Sequence, residues 1–295
     1  MSVAATPGPR VAATSGLRAP ALLRGDRASR ASTLGMFVVL LAYIAPVLLV
    51  IGNSFKPSAD IIGNPLAPPT RPTLQNYVDA YDRMNFLGSL INTAVITISS
   101  VVVICFFGSM TAYFLTRVRW APNTATFYLM VLSMMVPFQV LMIPMIKILG
   151  DLGLLRYSWI IVYVYFASGV PLAVFLYAGF IRSIPHELDE AATLDGCSRL
   201  QTFFYVIFPL LRPVTLTIAI LDVLMFWNDF LLPFLVLRRP EQRTLTLSTL
   251  AFVQSHTTEY GPTMAALLLG MLPVFVIYVF IQRHVIQGMV AGALK

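Results

Sequence analysis

Two aspartates, Asp222 and Asp229, interrupt Pro213–Leu237, a run with no other charged side chain. An ionisable group in such a run costs a few kcal/mol to place in a bilayer and is a functional suspect by default. Three uses are open to it: carrying a coupling proton, meeting a polar substrate, or pairing with another subunit. Asp222 lies near the middle of the run. Asp229 lies toward its outer end, directly after Trp227 and Asn228, where structural hydrogen bonding is as open to it as substrate contact.

A second concentration of chemistry lies in Arg182–Arg212, the longest polar interruption between two apolar runs on one side. Pro185 fits the first position of a helix. Glu187, Asp189 and Glu190 follow, where the helix dipole favours acids. Asp195 and Gly196 come next, and Gly196 is placed to end that helix in a left-handed conformation. Ser198 can cap a second helix running amphipathically through Leu200, Phe203, Phe204 and Ile207. The expected product is helix, sharp turn, helix. Ala191 and Ala192 would leave a thin surface for a closely approaching protein, and Glu190 would offer a carboxylate to a partner Arg or Lys.

Other chemistries find no residues. There is no G-x-x-x-x-G-K-[ST], so the chain cannot cradle ATP phosphates by itself, and no H-E-x-x-H or G-x-S-x-G. His186, His256 and His284 are scattered, which suits interfacial side chains better than a metal site. Cys105 and Cys197 are too few for a disulfide framework or a four-ligand zinc site. No catalytic constellation emerges.

The elements that must position these residues follow from composition. Hydrophobic residues make up 58% of the 295 and charged residues 11%. Soluble domains carry about 25% charged residues, so a water-soluble enzyme and a disordered chain are both excluded. Ala31–Phe55, Met84–Thr116, Trp120–Ile146, Tyr157–Ile181 and Tyr260–Gln282 are free of Asp, Glu, Lys and Arg. Each exceeds the roughly 20 residues a helix needs to cross a bilayer. With Pro213–Leu237 they make six expected helical spans, and no run shows the alternation of a membrane β-strand. With the N-terminus cytoplasmic, twelve of the 20 basic residues fall inside, a moderate vote for both termini in. The same rule accounts for the net charge of +7 without nucleic acid.

Residues 1–33 read as a disordered cytoplasmic tail in preference to a transit peptide, and residues 34–295 as the transmembrane domain. The proline-rich stretch Lys56–Arg83 reads as an irregular external loop. Its end, Leu74–Arg83, can form a short amphipathic helix with Tyr77 and Tyr81 one turn apart. Gly108 and Ser109 suit close packing between membrane helices.

Glu190-Ala191-Ala192, Gly196 and Val206-Ile207-Phe208-Pro209 together resemble the EAA loop of ABC importer permeases, whose pattern is E-A-A-x3-G-x9-I-x-L-P. Val206 and Phe208 depart from it conservatively. Asn53-Ser-Phe-Lys-Pro57, Trp227-Asn228-Asp229-Phe230, Arg243-Thr-Leu-Thr-Leu247 and Gln287-Gly-x-x-x-Gly-Ala293 resemble the sugar-importer subgroup. The likeness covers about residues 35 to 295 and is nearest to the maltose-type subunit. It implies an all-α, six-helix type I importer permease in a bacterial inner membrane. It implies a sister permease, two ATPase subunits that bind ATP and Mg, an external substrate-binding protein, and a sugar substrate. No cofactor would be bound by this chain. Glu190, Ala191, Ala192, Asp195 and Gly196 would couple it to the ATPase. Tyr163, Tyr165, Asp222, Trp227, Asn228 and Asp229 would be candidates for the substrate pathway, the aromatics by stacking on a sugar ring. Under this resemblance cavity or subunit contact is the expected role of Asp222, ahead of proton coupling. An ion-coupled secondary transporter is the alternative, and it would show inverted repeats that this sequence lacks.

Overall fold

The computed structural model describes residues 26–118, 120–253 and 259–293, and side chains at 32–118, 120–250, 252 and 259–279. Among the described residues no strand occurs. The chain divides into two compact units, residues 1–48 and 49–295. In the first, α1 (Asp26–Ser54) starts ahead of the apolar run and continues across the boundary into the second. The expected tail, 1–33, therefore lies mostly outside the described residues, and from Asp26 the chain is helical.

In the second unit, α2 (Ser58–Gly63) interrupts the stretch expected to be an irregular loop, residues 64–74 are irregular, and α3 (Gln75–Arg83) closes it. The α3 helix is the amphipathic one foreseen, and its polar face has a task. Asn76 Nδ2 donates to Ser54 O at 2.7 Å and Lys56 O at 2.8 Å, while the Tyr77 and Ser54 hydroxyls share a 2.7 Å hydrogen bond. The Asn53–Pro57 motif is thus a chain reversal whose buried carbonyls are satisfied by one asparagine.

The membrane helices are α4 (Phe86–Arg117), α5 (Ala121–Ser133), α6 (Phe138–Asp151), α7 (Ile160–Ile181), α8 (Glu187–Leu194), α9 (Arg199–Thr202), α10 (Phe208–Leu210), α11 (Arg212–Asn228), α12 (Leu231–Val236), α13 (Leu245–Ser248), α14 (Leu250–Val253) and α15 (Tyr260–Ala293), with α8 to α10 and α12 to α14 as short connecting pieces. Among the described residues four helices are long and apolar enough to span unbroken: α1, α4, α7 and α15. Two bent pairs, α5 with α6 at 101° and α9–α10 with α11 at 74°, would bring the number to six if each pair made one span. Four of the six expected spans are unbroken helices, Trp120–Ile146 falls on the first bent pair, and Pro213–Leu237 falls on α11 and α12. Trp120–Ile146 breaks before Pro137, whose ring cannot continue a helix from Val136. Pro213–Leu237 breaks at Asp229 and resumes as α12.

The core is an α4–α7–α11 sandwich of buried side chains including Ile104, Ile161, Val174, Tyr177, Ile181 and Ile218. In lipid, helices associate by close van der Waals packing. A Cβ built on Gly108 would meet Ala173 Cβ at 3.0 Å, and one on Gly169 would meet Ile104 Cδ1 at 2.6 Å. The α4 hydroxyls of Thr93 and Ser100 donate back to Ser89 O and Ile96 O at 2.8 and 2.7 Å, so these two small polar residues line the face with their donors satisfied, while the buried Thr97 hydroxyl between them has no partner among the described residues. Thr93 Oγ1 also accepts from Leu245 N at 2.7 Å, tying α13 to α4.

Candidate functional site

The expected helix–turn–helix is present. The chain leaves α8 through Gly196 at φ +86°. Cys197 N donates to Ala192 O at 2.9 Å and Gly196 N to Thr193 O at 3.0 Å, the paired bonds that close a helix on a left-handed residue. Ser198 caps α9 reciprocally: its N–H donates to Gln201 Oε1 at 2.8 Å, and Gln201 N donates to Ser198 Oγ at 3.4 Å. Two details differ from expectation. Pro185 precedes the first helix by two residues and is not its first member. The second helix is irregular, because Phe203–Ile207 is a π-turn closed by Phe208 N–H to Phe203 O. Pro209 has no N–H to give to Tyr205 O, so a wider turn satisfies the ladder just before it.

The α8 helix has two distinct faces. Glu190, Ala191 and Asp195 are exposed, while Ala192 is buried against its own chain. Of the two alanines only Ala191 is left for a partner, because neighbours on a helix point about 100° apart. Among the described residues no hydrogen bond within the chain engages the Glu190 carboxylate. Leu194 is 90% exposed beside it, and Leu200 60% exposed beyond the turn. Apolar side chains flanking a free carboxylate on a polar loop mark a contact surface. Sequence reasoning assigned no role to Leu194 and put Leu200 on the apolar stripe of the second helix; only the fold shows that neither is folded inward.

The inner face of α8 held the larger surprise. Asp189 meets Arg117, at the end of α4, with Nε and Oδ2 3.1 Å apart in an ion pair. Tyr113 Oη donates to Asp189 Oδ1 at 2.7 Å, and Arg117 Nη2 donates to Ile184 O at 2.8 Å. The spacing of Tyr113 and Arg117, one turn apart near a helix end, was the available signal for a shared target.

The substrate-pathway candidates separate sharply. Tyr163 is 58% exposed and lines a cavity of about 530 Å³ between α4 and α7, with Asn92, Ser99, Trp159, Phe166 and Gln242. Asn228 is exposed at the end of α11, its amide nitrogen bound to Leu224 O at 2.7 Å. Tyr165, in contrast, is buried, stacks on Phe226 at 4.2 Å, and donates to Asp229 Oδ2 at 2.9 Å. Asp229 Oδ1 accepts from Leu231 N at 3.0 Å and so starts α12. Trp227 is buried, and its carbonyl accepts from Thr246 Oγ1 at 3.0 Å. The Trp227–Asp229 motif is therefore a hydrogen-bonded break between two helices.

Asp222 departs most from expectation. It is 2% exposed, within electrostatic reach of Cys105 on α4 and Tyr177 on α7. Among the described residues it is not part of the lining of the cavity that Tyr163 faces. The helix rotation that puts Ile218 and Phe226 into the core carries Asp222 with them, at i+4 and i−4 on one face.

The pattern of the family described as binding-protein-dependent transport system inner membrane component matches residues 104–291, most of the described membrane helices and all of the turn. The chain belongs to this family. Membership makes it a membrane-embedded permease subunit of an ABC transporter, and not an enzyme, with an ATPase and a substrate-binding protein as partners. AmyC of Thermoanaerobacterium thermosulfurigenes, described as a probable starch degradation products transport system permease protein, is 38% identical over 88% of this chain and 94% of its own. The melibiose/raffinose/stachyose import permease protein MelC of Bacillus subtilis is 34% identical over 91% and 98%. A chain of a bacterial ABC transporter involved in the import of the acidic polysaccharide alginate, solved by crystallography, shares the fold with TM-score 0.73 at 23% identity, covering 88% of this chain and 98% of that one.

Proposed function

We propose that this permease passes a sugar, a di- or oligosaccharide or a related compound, across a bacterial inner membrane as one half of a heterodimer with a sister permease. The observation that carries the reading is the exposed Glu190–Leu194–Gly196 turn on a chain with no phosphate-binding loop: force enters here from another protein. In this reading two ATPase subunits, holding ATP and Mg, dock on the turn. A lipoprotein or periplasmic binding protein delivers the sugar from outside. ATPase closure biases a two-state permease between inward- and outward-facing forms. The sugar relatives support the substrate class. Of the six pathway candidates, exposure favours Tyr163 and Asn228 as direct contacts. Tyr165, Trp227 and Asp229 act through the break they form. No nucleic acid takes part.

Uptake by proteoliposomes containing the whole importer decides the mechanism. Uptake of labelled raffinose or maltotriose is expected only with ATP inside and the loaded binding protein outside. Uptake driven by a proton gradient without ATP would replace this reading with the ion-coupled one.

The reading places both termini and residues 182–212 in the cytoplasm. In a variant lacking Cys105 and Cys197, Thr70→Cys should react with an impermeant maleimide on intact spheroplasts, and Ser183→Cys only after lysis. Reaction of both before lysis would overturn that orientation.

A further inference from the structure

We propose that Arg117, Asp189 and Tyr113 form a strut that transmits movement of α8 into α4, making them positioning residues of the transport cycle. The inference rests on the docking role of the turn given above. Two side chains from the last turns of α4 hold the coupling element at three places. Arg117 Nη2 holds Ile184 O before α8, at 2.8 Å. Arg117 and Tyr113 together hold Asp189 on α8 itself. The Tyr113 ring lies against Phe203, centroids 5.4 Å apart, in the π-turn after it. The side chains of Arg117 and Asp189 are 7% and 18% exposed, so the pair is shielded from solvent. Ions this shielded strongly resist separation, since parting them strands a buried charge.

The opposite faces of α8 therefore do different work. Glu190, Ala191 and Leu194 point outward to the ATPase, and Asp189 and Ala192 point inward. A push on the outer face cannot be absorbed by the loop, because entry, helix and exit are all fixed to α4. The α4 helix is in turn locked along α7 by the Gly108–Ala173 approach. Displacement at the turn must then appear as displacement of a membrane helix as a body.

The test uses the complete importer, with sister permease and ATPase subunits, in a background lacking Cys105 and Cys197. Leu87→Cys, exposed at the far end of α4, carries an environment-sensitive fluorophore. ATP should change its emission in the otherwise unaltered chain. Asp189→Asn and Arg117→Gln should still co-purify with the ATPase yet lose this response by at least about fivefold, the lower end of typical allosteric couplings. Tyr113→Phe, which drops one hydrogen bond and keeps the ring on Phe203, should lose less. The exchange Arg117→Asp with Asp189→Arg should restore part of the response. A response unchanged in Asp189→Asn and Arg117→Gln overturns the strut, as does a loss that merely follows loss of ATPase association. No response in the unaltered chain overturns it too. Glu190→Ala, run alongside, separates the two readings: if it loses ATPase association while the strut variants are silent, docking stands and only the strut falls. Wild-type association in Glu190→Ala removes the docking reading and the strut with it.

Discussion

Gly196→Val should uncouple transport while leaving the permease folded in the membrane. Gly196 sits at φ +86°, a region that β-branched residues essentially do not occupy. Space is not the obstacle, since a Cβ there would meet nothing within 4 Å. The whole effect comes from backbone strain, about 1–3 kcal/mol for a side chain held left-handed. The loop escapes that strain by giving up the bonds from Cys197 and Gly196 that close α8, which swings Glu190 and Leu194 out of register with any partner. A graded series isolates the cause. Gly196→Asn, which tolerates the left-handed region, should stay near wild type, Gly196→Ala should fall between, and Gly196→Val should be worst. Glu190→Ala attacks the same proposed interface by another route, removing the carboxylate that would pair with a basic residue of the ATPase, a loss of about 2–5 kcal/mol where such a pair is buried in the complex. Stimulation of the ATPase by loaded binding protein, measured with ATPase co-purification, reads both. If Gly196→Val and Glu190→Ala match wild type in both measurements, the turn is a solvated connection and nothing more, for which changes within about 0.5 kcal/mol are normal.

Gly108→Leu should remove the folded protein altogether. The α4–α7 contact at Gly108 is backbone against Ala173 Cβ, at 3.0 Å from where a new Cβ would stand. Neither group can rotate away, so the helices must part. Overpacking costs about 1–3 kcal/mol even for a few added methylenes, and four added carbons at a rigid contact exceed that range. Gly169 makes an instructive contrast. Its built Cβ comes closer, 2.6 Å, but to the terminal Cδ1 of Ile104, which can change rotamer. Gly169→Ala should therefore be milder than Gly108→Ala despite the shorter distance. Gly179→Leu, exposed on the same α7 with nothing within 4 Å, is the control and should be silent. Monodisperse yield in detergent and thermal aggregation temperature would rank the four. Equal behaviour of Gly108→Leu and Gly179→Leu would show that the contact does not hold the helices together.

The amino-acid sequence alone determined the features that local chemistry or bulk apolarity dictates. Apolar runs of bilayer length required membrane helices. A glycine after an acidic helix required a left-handed exit, and Ser198 with Gln201 three residues on required a cap; both occur where expected. The helix breaks at Pro137 and Asp229 were only half legible. Pro144, Pro171 and Pro273 lie inside helices that continue, so proline marks where a break is allowed, and packing chooses which one is used. What tertiary structure alone decided is which way each membrane side chain faces. A soluble helix announces its buried side by an apolar stripe. In a bilayer the lipid-facing and protein-facing sides are equally apolar, so no stripe exists to read, and small residues such as Gly108 are the remaining clue. That is why Tyr163 and Tyr165 could not be told apart two residues from each other, why Asp222 was expected at a cavity or a subunit contact and is buried among core side chains, and why Asp189 passed for a helix-dipole acid until Arg117 and Tyr113 were found against it.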